Sequence, residues 1–481
     1  MSKVKRSLLF SLAESYSTVA IQIVSMVVLA RMLSPNEIGV FSVAAAFAAI
    51  GVNIRDFGVA EYLIQVKELD HERIRAALTA NIIISWSVGG AIFLSSSGLE
   101  RFYADPGVGQ ILRVNALNFL FIPFGAVTMA YFRRELNFVP LYWASLISNL
   151  VAALLAMLMA WRGWGYMSLA WSGLAGVVTT VLVANYFRPP GFPWRPGVRR
   201  LGEVIRFGTY ASSIYVLTRM GKGAPDMVIG RLLSMEAVGL FSRAVGVAEL
   251  FSRLVLIAVR RVFLPYLTEQ IRSGNTAKES FVRVLDYVTV IGWPFFLVMA
   301  LVALPTIRLI YGSQWLDAVP LLQILALALA LEMSFYFASE ALIAVGQVAY
   351  GARLQLHLLA VRVVALLITT PMGLKMAAVG YVIGTLLAMY LVVSGLSAKM
   401  GLRWRDLRPI LIHSGIISTV SALPAAAVML LMDVSTDRYL LPLALAGGGS
   451  SMAWLAALLV MRHPLGDHLL TFIRLLRAKL T

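Results

Sequence analysis

The 481-residue sequence has no cysteine, which excludes a disulfide framework and a thiolate metal site. Histidine is almost as scarce. Its five residues are scattered and show no metal-ligand spacing. No phosphate-binding G-x-x-x-x-G-K-S/T stretch occurs, so no P-loop ATPase lies within this chain. No nucleophile with a partner base and no pair of catalytic carboxylates stands out. Charge is thin as well, at 14% of residues, and acids are the rarer sign, with 24 Asp and Glu against 41 Lys and Arg.

What fills the chain instead is apolar. It is 59% hydrophobic and its mean hydropathy is +0.82. A soluble domain cannot hide that much apolar surface, so the class is a polytopic membrane protein, all α-helical. The start, "MSKVKRSLLF", is basic but runs on without a small-residue cleavage pattern, and reads as a retained first helix. A span needs roughly 20 apolar residues. By that measure fourteen segments qualify: 7–32, 37–64, 76–99, 107–132, 139–161, 165–187, 204–233, 237–266, 284–311, 317–346, 351–371, 375–398, 409–432 and 439–461. The end, "LLTFIRLLRAKLT", alternates leucines with Arg474, Arg477 and Lys479, as suits an amphipathic tail on a membrane surface.

The basic residues orient these spans. With a cytoplasmic N-terminus, each outer loop holds one base: Arg31, Arg101, Arg162, Arg231, Arg308, Lys375 and Arg438. Most of the others fall in cytoplasmic loops and ends. This bias supports fourteen helices with both termini cytoplasmic. It also accounts for most of the net charge of +17, which removes nucleic acid as a partner.

An internal repeat organises the spans. "RMLSPNEIGVFSVA" (31–44) aligns without gaps on "RLLSMEAVGLFSRA" (231–244), with seven of fourteen positions identical. Six helices separate the copies, so the two repeats are parallel, and binding is expected in a central cavity between six-helix lobes. The expected organisation is an N-lobe over 1–187, a Pro- and Arg-rich cytoplasmic linker over 188–203, and a C-lobe over 204–398. Two extra helices follow over 399–462, then the amphipathic tail over 463–481.

Three stretches carry a resemblance. "LARMLSPNEIGVFSVA" with "DFGVAEYLIQ" presents Arg31, Leu33, Pro35, Gly39 and Phe41 in an R-x-L-x-P-x-x-x-G-x-F pattern. "DMVIGRLLSMEAVGLFSRA" begins at Asp226. The most distinctive is "YGSQWLDAVPLLQILALA" (311–328). "RRELNF" (133–138) and "FLPYLTEQ" (263–270) also fit. Together they resemble the polysaccharide-transport branch of the MOP exporter superfamily, the Wzx-type flippases of lipid-linked oligosaccharides. The resemblance covers roughly helices 1–12. It implies a bacterial cytoplasmic-membrane transporter, no cofactor, a lipid-linked oligosaccharide as substrate, and membrane lipids and polysaccharide polymerase or other assembly proteins as partners. It does not specify the sugar.

The bases inside spans bear on mechanism. They are Arg55, Arg113, Arg219, Lys222, Arg243, Arg253 and Arg362. A charge at the helix centre costs about 2.5–3.5 kcal/mol on insertion scales, so such groups face water, protein or each other. At 100° per residue, Ser212, Tyr215, Arg219, Lys222 and Asp226 share one stripe of helix 7. Arg243, Gly246, Glu249, Arg253 and Arg260 share a wider face of helix 8, and Ser11, Glu14, Thr18, Gln22 and Ser25 a polar face of helix 1. One reading is a cationic cavity in which Arg219, Lys222, Arg243, Arg253 and Arg55 bind the anionic head group of a substrate. The other is internal pairing with the intramembrane acids, among them Asp56, Glu332 and Glu340. Arg113 is expected at the outer end of helix 4, and the face of Arg362 is open. Asp226, Glu249 and Glu14 are candidates for coupling transport to H+ or Na+. Helix 11 offers His357 and Arg362 but no carboxylate, unlike the resembling lipid II flippases, which use second-lobe acids for sodium. Gly221, Gly223 and Pro225 predict a kink or unwound turn in helix 7.

The function expected from these features is a flippase that moves a polyprenyl-diphosphate-linked oligosaccharide by alternating access. Two alternatives compete: a cation-coupled multidrug exporter of the same superfamily, which calls for an acidic or apolar cavity, and a polytopic glycan-assembly enzyme, which calls for large outer loops or paired catalytic groups.

Overall fold

The computed structural model describes residues 3–55, 59–251, 255–274, 276–432, 438–467 and 471; side chains 3–8, 61, 206–215, 257–258, 260–262 and 264 fall outside the description. Within these bounds the chain is helical throughout, with no strand. The helices are α1 (Lys3–Met32), α2 (Pro35–Arg55), α3 (Val59–Gln65), α4 (His71–Tyr103), α5 (Pro106–Phe121), α6 (Pro123–Arg134), α7 (Phe138–Trp161), α8 (Met167–Tyr186), α9 (Leu201–Leu232) and α10 (Met235–Phe251). They continue as α11 (Ile257–Arg272), α12 (Ala277–Leu301), α13 (Ala303–Ile310), α14 (Val319–Met333), α15 (Ala338–Ala344), α16 (Val348–Thr369), α17 (Leu374–Met400), α18 (Trp404–Leu431) and α19 (Leu440–Val460).

Eleven of the described helical segments are long and apolar enough to cross a membrane, and twelve if α5 and α6, bent by 55° at Ile122, count as one. The bend falls where Pro123 begins the second helix, as a proline that cannot donate to the preceding turn requires. The set is drawn from the described residues alone, and the expected spans at α9 and at α10 with α11 include residues outside the description. These are the helices into which the sequence puts its charge.

The chain divides into two compact units, Met1–Gly239 and Leu240–Thr481. In the first, α4 packs on α5, α7 on α8 and α1, and α2 on α4, α5 and α9. Helix α9, which the repeat assigns to the second lobe, thus lies with the first unit because of its packing on α2 and α4. The stretch 188–200 is strapped to α4. Gly197 N donates to Thr79 Oγ1 at 2.8 Å, and Arg75 donates to the carbonyls of Arg195 (3.1 Å) and Pro196 (3.3 Å). Arg188 stacks 3.6 Å from the Trp194 ring centroid, and Phe192 enters a core with Leu63, Ile74 and Ala130. Burial lowers the Arg188 pKa below its usual value.

The repeat has a physical basis in its serine and glycine. Ser34 and Ser234 cap α2 and α10, accepting the N–H of Glu37 (3.3 Å) and Ala237 (3.1 Å). Ser34 N also donates to Glu37 Oε2 at 2.8 Å, closing a capping box. Gly39 and Gly239, two hundred positions apart, sit where α2 crosses the start of α10. A Cβ on Gly39 would run into the carbonyl oxygen of Met235, and one on Gly239 into that of Pro35, the matching position of the other copy. Only hydrogen fits at either place.

In the second unit α12 packs on α14 and α18, α16 on α17, and α18 on α19. A line of polar bonds along α12 fixes the two C-terminal helices. Lys278 pairs with Asp406 at 3.4 Å, Thr289 Oγ1 lies 2.9 Å from Ser414 Oγ, and Trp454 Nε1 donates to the Val290 carbonyl at 2.9 Å. His463 Nε2 stands 3.0 Å from Asp286 Oδ2, while its Nδ1 accepts the Leu465 N–H at 3.1 Å. The occupied Nδ1 leaves the proton on Nε2, so the imidazole donates to the carboxylate.

Gly39→Ala and Gly239→Ala should each lower stability by about 1–3 kcal/mol, the usual cost of overpacking. Gly90→Ala, where no atom lies within 4 Å of the added carbon, should leave it unchanged. Thermal unfolding of the three purified variants in detergent checks this; equal midpoints would refute the crossing as a constraint.

Candidate functional site

The thirteen residues "TRMGKGAPDMVIG" (218–230) hold an arginine, a lysine, an aspartate, three glycines and a proline in one helix. The structure separates these residues by face. Gly221, Ala224, Pro225 and Ile229 are buried, at the i, i+3, i+4, i+8 spacing of a packed helix stripe. Arg219 and Lys222 are exposed, and Asp226 is half-buried. Close approach explains the glycines. A Cβ on Gly223 would meet Ala46 Cβ of α2 at 3.1 Å, and one on Gly230 would meet Val43 Cγ2 at 2.8 Å. From α4, Tyr103 donates to the Met227 carbonyl at 3.0 Å.

Of the two forms expected here, a kink or an unwound turn, the helix is compatible with the first. The backbone is helical at every position from Leu201 to Leu232, with Pro225 inside, so no unwound turn occurs at Gly221, Gly223 and Pro225. The proline ring crowds the carbonyl four residues back, and that residue is Gly221, the most yielding choice of backbone. Packing on α2 and α4 then holds the helix together across the site.

Arg243 is seated on aromatic rings of the second unit. Its guanidinium carbon lies 5.7 Å from the Tyr311 ring centroid and 5.9 Å from that of Trp315, within cation–π range. Both rings are fully buried, and Tyr311 donates its hydroxyl to the Arg243 carbonyl at 3.4 Å. The stretch "YGSQW" therefore builds the seat for the one base of the repeat that has no counterpart in the first copy. That counterpart, Val43, is buried in contact distance of Gly230.

The other candidates occupy varied places. Glu14 of α1 accepts from Ser145 of α7 at 2.8 Å. Arg55 ends α2 and is half-buried. Arg253 and Asp56 lie outside the described residues, as do the side chains of Ser212, Tyr215 and Arg260. Arg113 pairs with Glu100 at 2.8 Å and donates to Ser96 and Ser97, joining α5 to α4. Arg362 turns to α14, where its Nη2 meets Glu332 Oε1 at 3.3 Å; the two side chains are 15% and 20% exposed. Gly384 of α17 lets that helix close on Arg362, its would-be Cβ falling 3.2 Å from the Arg362 Cα. Tyr381, one turn earlier on α17, stands in the fields of Glu332, Arg362 and Glu249. This acid–base cluster joins α10, α14, α16 and α17. The sequence lists its members but gives no sign that residues 332 and 362 meet. Beside it the span Ser313–Ala344 is broken at residues 334–337. Among the described residues no group of three or more His, Asp or Glu side chains could hold a metal ion.

Long apolar helices throughout, with ionisable side chains grouped on a few of them, define a polytopic α-helical membrane protein. A family model described as "Polysaccharide biosynthesis protein" matches residues 28–320, and the chain belongs to that family. Two relatives are the "Lipopolysaccharide biosynthesis protein WzxC" of Escherichia coli (strain K12), 24% identical over 64% of this chain, and the "Succinoglycan biosynthesis transport protein ExoT" of Rhizobium meliloti (strain 1021), 25% identical over 68%. The matches span 63% and 66% of those relatives, less than two thirds of their length. In fold the chain is similar to the lipid II flippase MurJ in an inward closed conformation, with a TM-score of 0.75, 13% identity, and coverage of 95% of this chain and 100% of that one. It is also similar to an inward-facing multidrug resistance MATE family transporter of the MOP superfamily, with a TM-score of 0.61, 15% identity, and coverage of 80% and 95%. The resemblance read from the three sequence stretches, to the polysaccharide-transport branch of the MOP superfamily, is borne out.

Breaking the Arg362–Glu332 pair with Arg362→Met or Glu332→Leu alone should cost about 3–5 kcal/mol by stranding a buried charge, while the double substitution restores most of it. Denaturant unfolding of the four proteins measures the coupling. Additive losses would show that the pair is not the source.

Proposed function

We propose that the protein is a flippase of the bacterial cytoplasmic membrane, with both termini cytoplasmic, that moves a polyprenyl-diphosphate-linked oligosaccharide between leaflets by alternating access. The observation that carries this is the segregation on α9. Its breakers are consumed by packing, whereas Arg219 and Lys222 are held exposed on the other face. Exposed cations in an apolar bundle face water or polar groups, so this face of α9 is open to an anionic head group. A diphosphate is the anion that the resemblance to flippases of lipid-linked oligosaccharides implies, and charge-assisted hydrogen bonds would hold it. Arg243, Arg253 and Arg55 are assigned the same role as further cations of the head-group site, and the prenyl tail stays in the bilayer. Asp226, on the same stripe as Lys222, is assigned as the carboxylate that couples the cycle to H+ or Na+; Glu249 and Glu14 are the other candidates. Assembly proteins such as a polysaccharide polymerase are the partners this role implies.

Neutralising Arg219 and Lys222 together (R219Q/K222Q) should leave the protein inserted. At about 1.5–3 kcal/mol per charged hydrogen bond, it should slow flipping by on the order of 100-fold or more. Leaflet exchange of a defined lipid-linked sugar in proteoliposomes, with and without an ion gradient, is the measurement. Full transport by the double variant would remove α9 from the site. Asp226→Asn should abolish only the response to the gradient.

A further inference from the structure

A ligand-sized groove of about 530 Å3 lies wholly within the second unit, where α11 and the end of α10 face α12. Its lining is graded. Arg283, Tyr287 and Tyr266 stand at one end, near the turn that joins α11 to α12, and Phe251 and Ile291 at the other. On α12 the lining positions 283, 284, 287, 288 and 291 form a single face. From Arg283 to Ile291 that face rises about 12 Å at 1.5 Å per residue. One leaflet of hydrocarbon, half of a core about 30 Å thick, is nearly the same depth. The turn at the charged end belongs to the cytoplasmic side by the positive-inside bias, with Arg272 and Lys278 beside it.

The charge at the mouth is available. Arg283 is exposed; of the two acids within a turn of it on α12, Asp286 is engaged by His463 at 3.0 Å and Glu279 is itself exposed to solvent, with no ion pair to Arg283 among the described residues. A guanidinium with two phenols at head-group level, above a floor of Phe, Val, Leu and Ile, is complementary to a monoanionic amphiphile. Depth and charge both match a phospholipid better than a longer diphosphate-bearing prenyl chain. Among the described lining residues a single cation faces a single phosphodiester, and the apolar face ends near mid-membrane.

We propose that this groove binds one anionic phospholipid of the cytoplasmic leaflet, with an acyl chain along α12 and its phosphate at Arg283. The inference does not depend on what the protein transports. It follows from a cationic rim and a leaflet-deep apolar floor, the combination that reads the negative surface of the inner leaflet.

Native mass spectrometry tests it. Full-length protein in mild detergent would be equilibrated with equimolar phosphatidylglycerol and phosphatidylcholine, and the retained lipid counted. One phosphatidylglycerol per chain is expected. Arg283→Gln should reduce its retention about tenfold and Arg283→Lys should keep most of it, while Val284→Trp, which fills the groove without changing charge, should also expel it. Thermal unfolding without added lipid establishes that the variants are folded. If Val284→Trp fails to fold, the exposed Arg283→Gln alone decides. Equal retention of phosphatidylcholine, or no effect of Arg283→Gln, would overturn the proposal. So would one-for-one displacement of phosphatidylglycerol by polyprenyl phosphate, which would make the groove a seat for the transported tail.

Discussion

Two carbonyl oxygens facing two absent side chains set the geometry of the first unit. At the crossing of α2 with the start of α10, the Met235 carbonyl fills the space above Gly39 and the Pro35 carbonyl the space above Gly239. Each glycine meets the residue four positions before its own counterpart in the other copy, so the contact is a pseudo-two-fold one between repeats. Backbone on backbone is the closest approach two helices can make, and in a membrane, where apolar side chains gain little from leaving lipid, such contact is a main source of association. The capping serines start both helices at equivalent places, which keeps the glycines in register. The identities of the repeat are thus the residues that start the helices and those that let them touch.

The same economy of space governs α9. Glycine and proline in a membrane helix invite the reading of a break, and the sequence alone gives no reason to prefer packing. What decides is the neighbour: Ala46 and Val43 of α2 lie where a larger side chain on α9 would have to go. With the small residues assigned to that contact, the ionisable ones are left on the faces that do not pack. Separation of structural from chemical residues by face, within one turn, lets a helix be both firmly held and locally charged.

The parts of the structure legible in the sequence were those with local causes. Most of the expected spans among the described residues follow from apolar run length, and the repeat follows from identical caps and glycines. Four of the seven bases expected inside spans, Arg219, Lys222, Arg243 and Arg253, fall on two of the fourteen, the first two helices of the second repeat. Long-range pairings stayed hidden. Nothing near Arg243 announces Tyr311 and Trp315, sixty-eight and more residues away, although the distinctiveness of "YGSQW" marked it as doing something specific. Arg362 could not be placed because helix 11 has no acid of its own; Glu332, from α14, is the partner. Within the expected spans, unlike the chain as a whole, acids and bases nearly balance in number, but only the fold shows which ones meet.

The C-terminal pair, outside the six-plus-six plan, follows the rule in reverse. An appended hairpin of apolar helices could lie anywhere on an apolar bundle, since lipid competes equally for its surface. Here it is tied by hydrogen bonds that lipid cannot offer: Lys278 to Asp406, Thr289 to Ser414, the Val290 carbonyl to Trp454, and Asp286 to His463. All four begin on α12, and two of them, at Lys278 and Asp286, flank Arg283. A helix that anchors α18 and α19 on its polar stripe thus commits Lys278 and Asp286 to that contact. The basic group on the groove-lining face is then the charge left to meet the membrane surface.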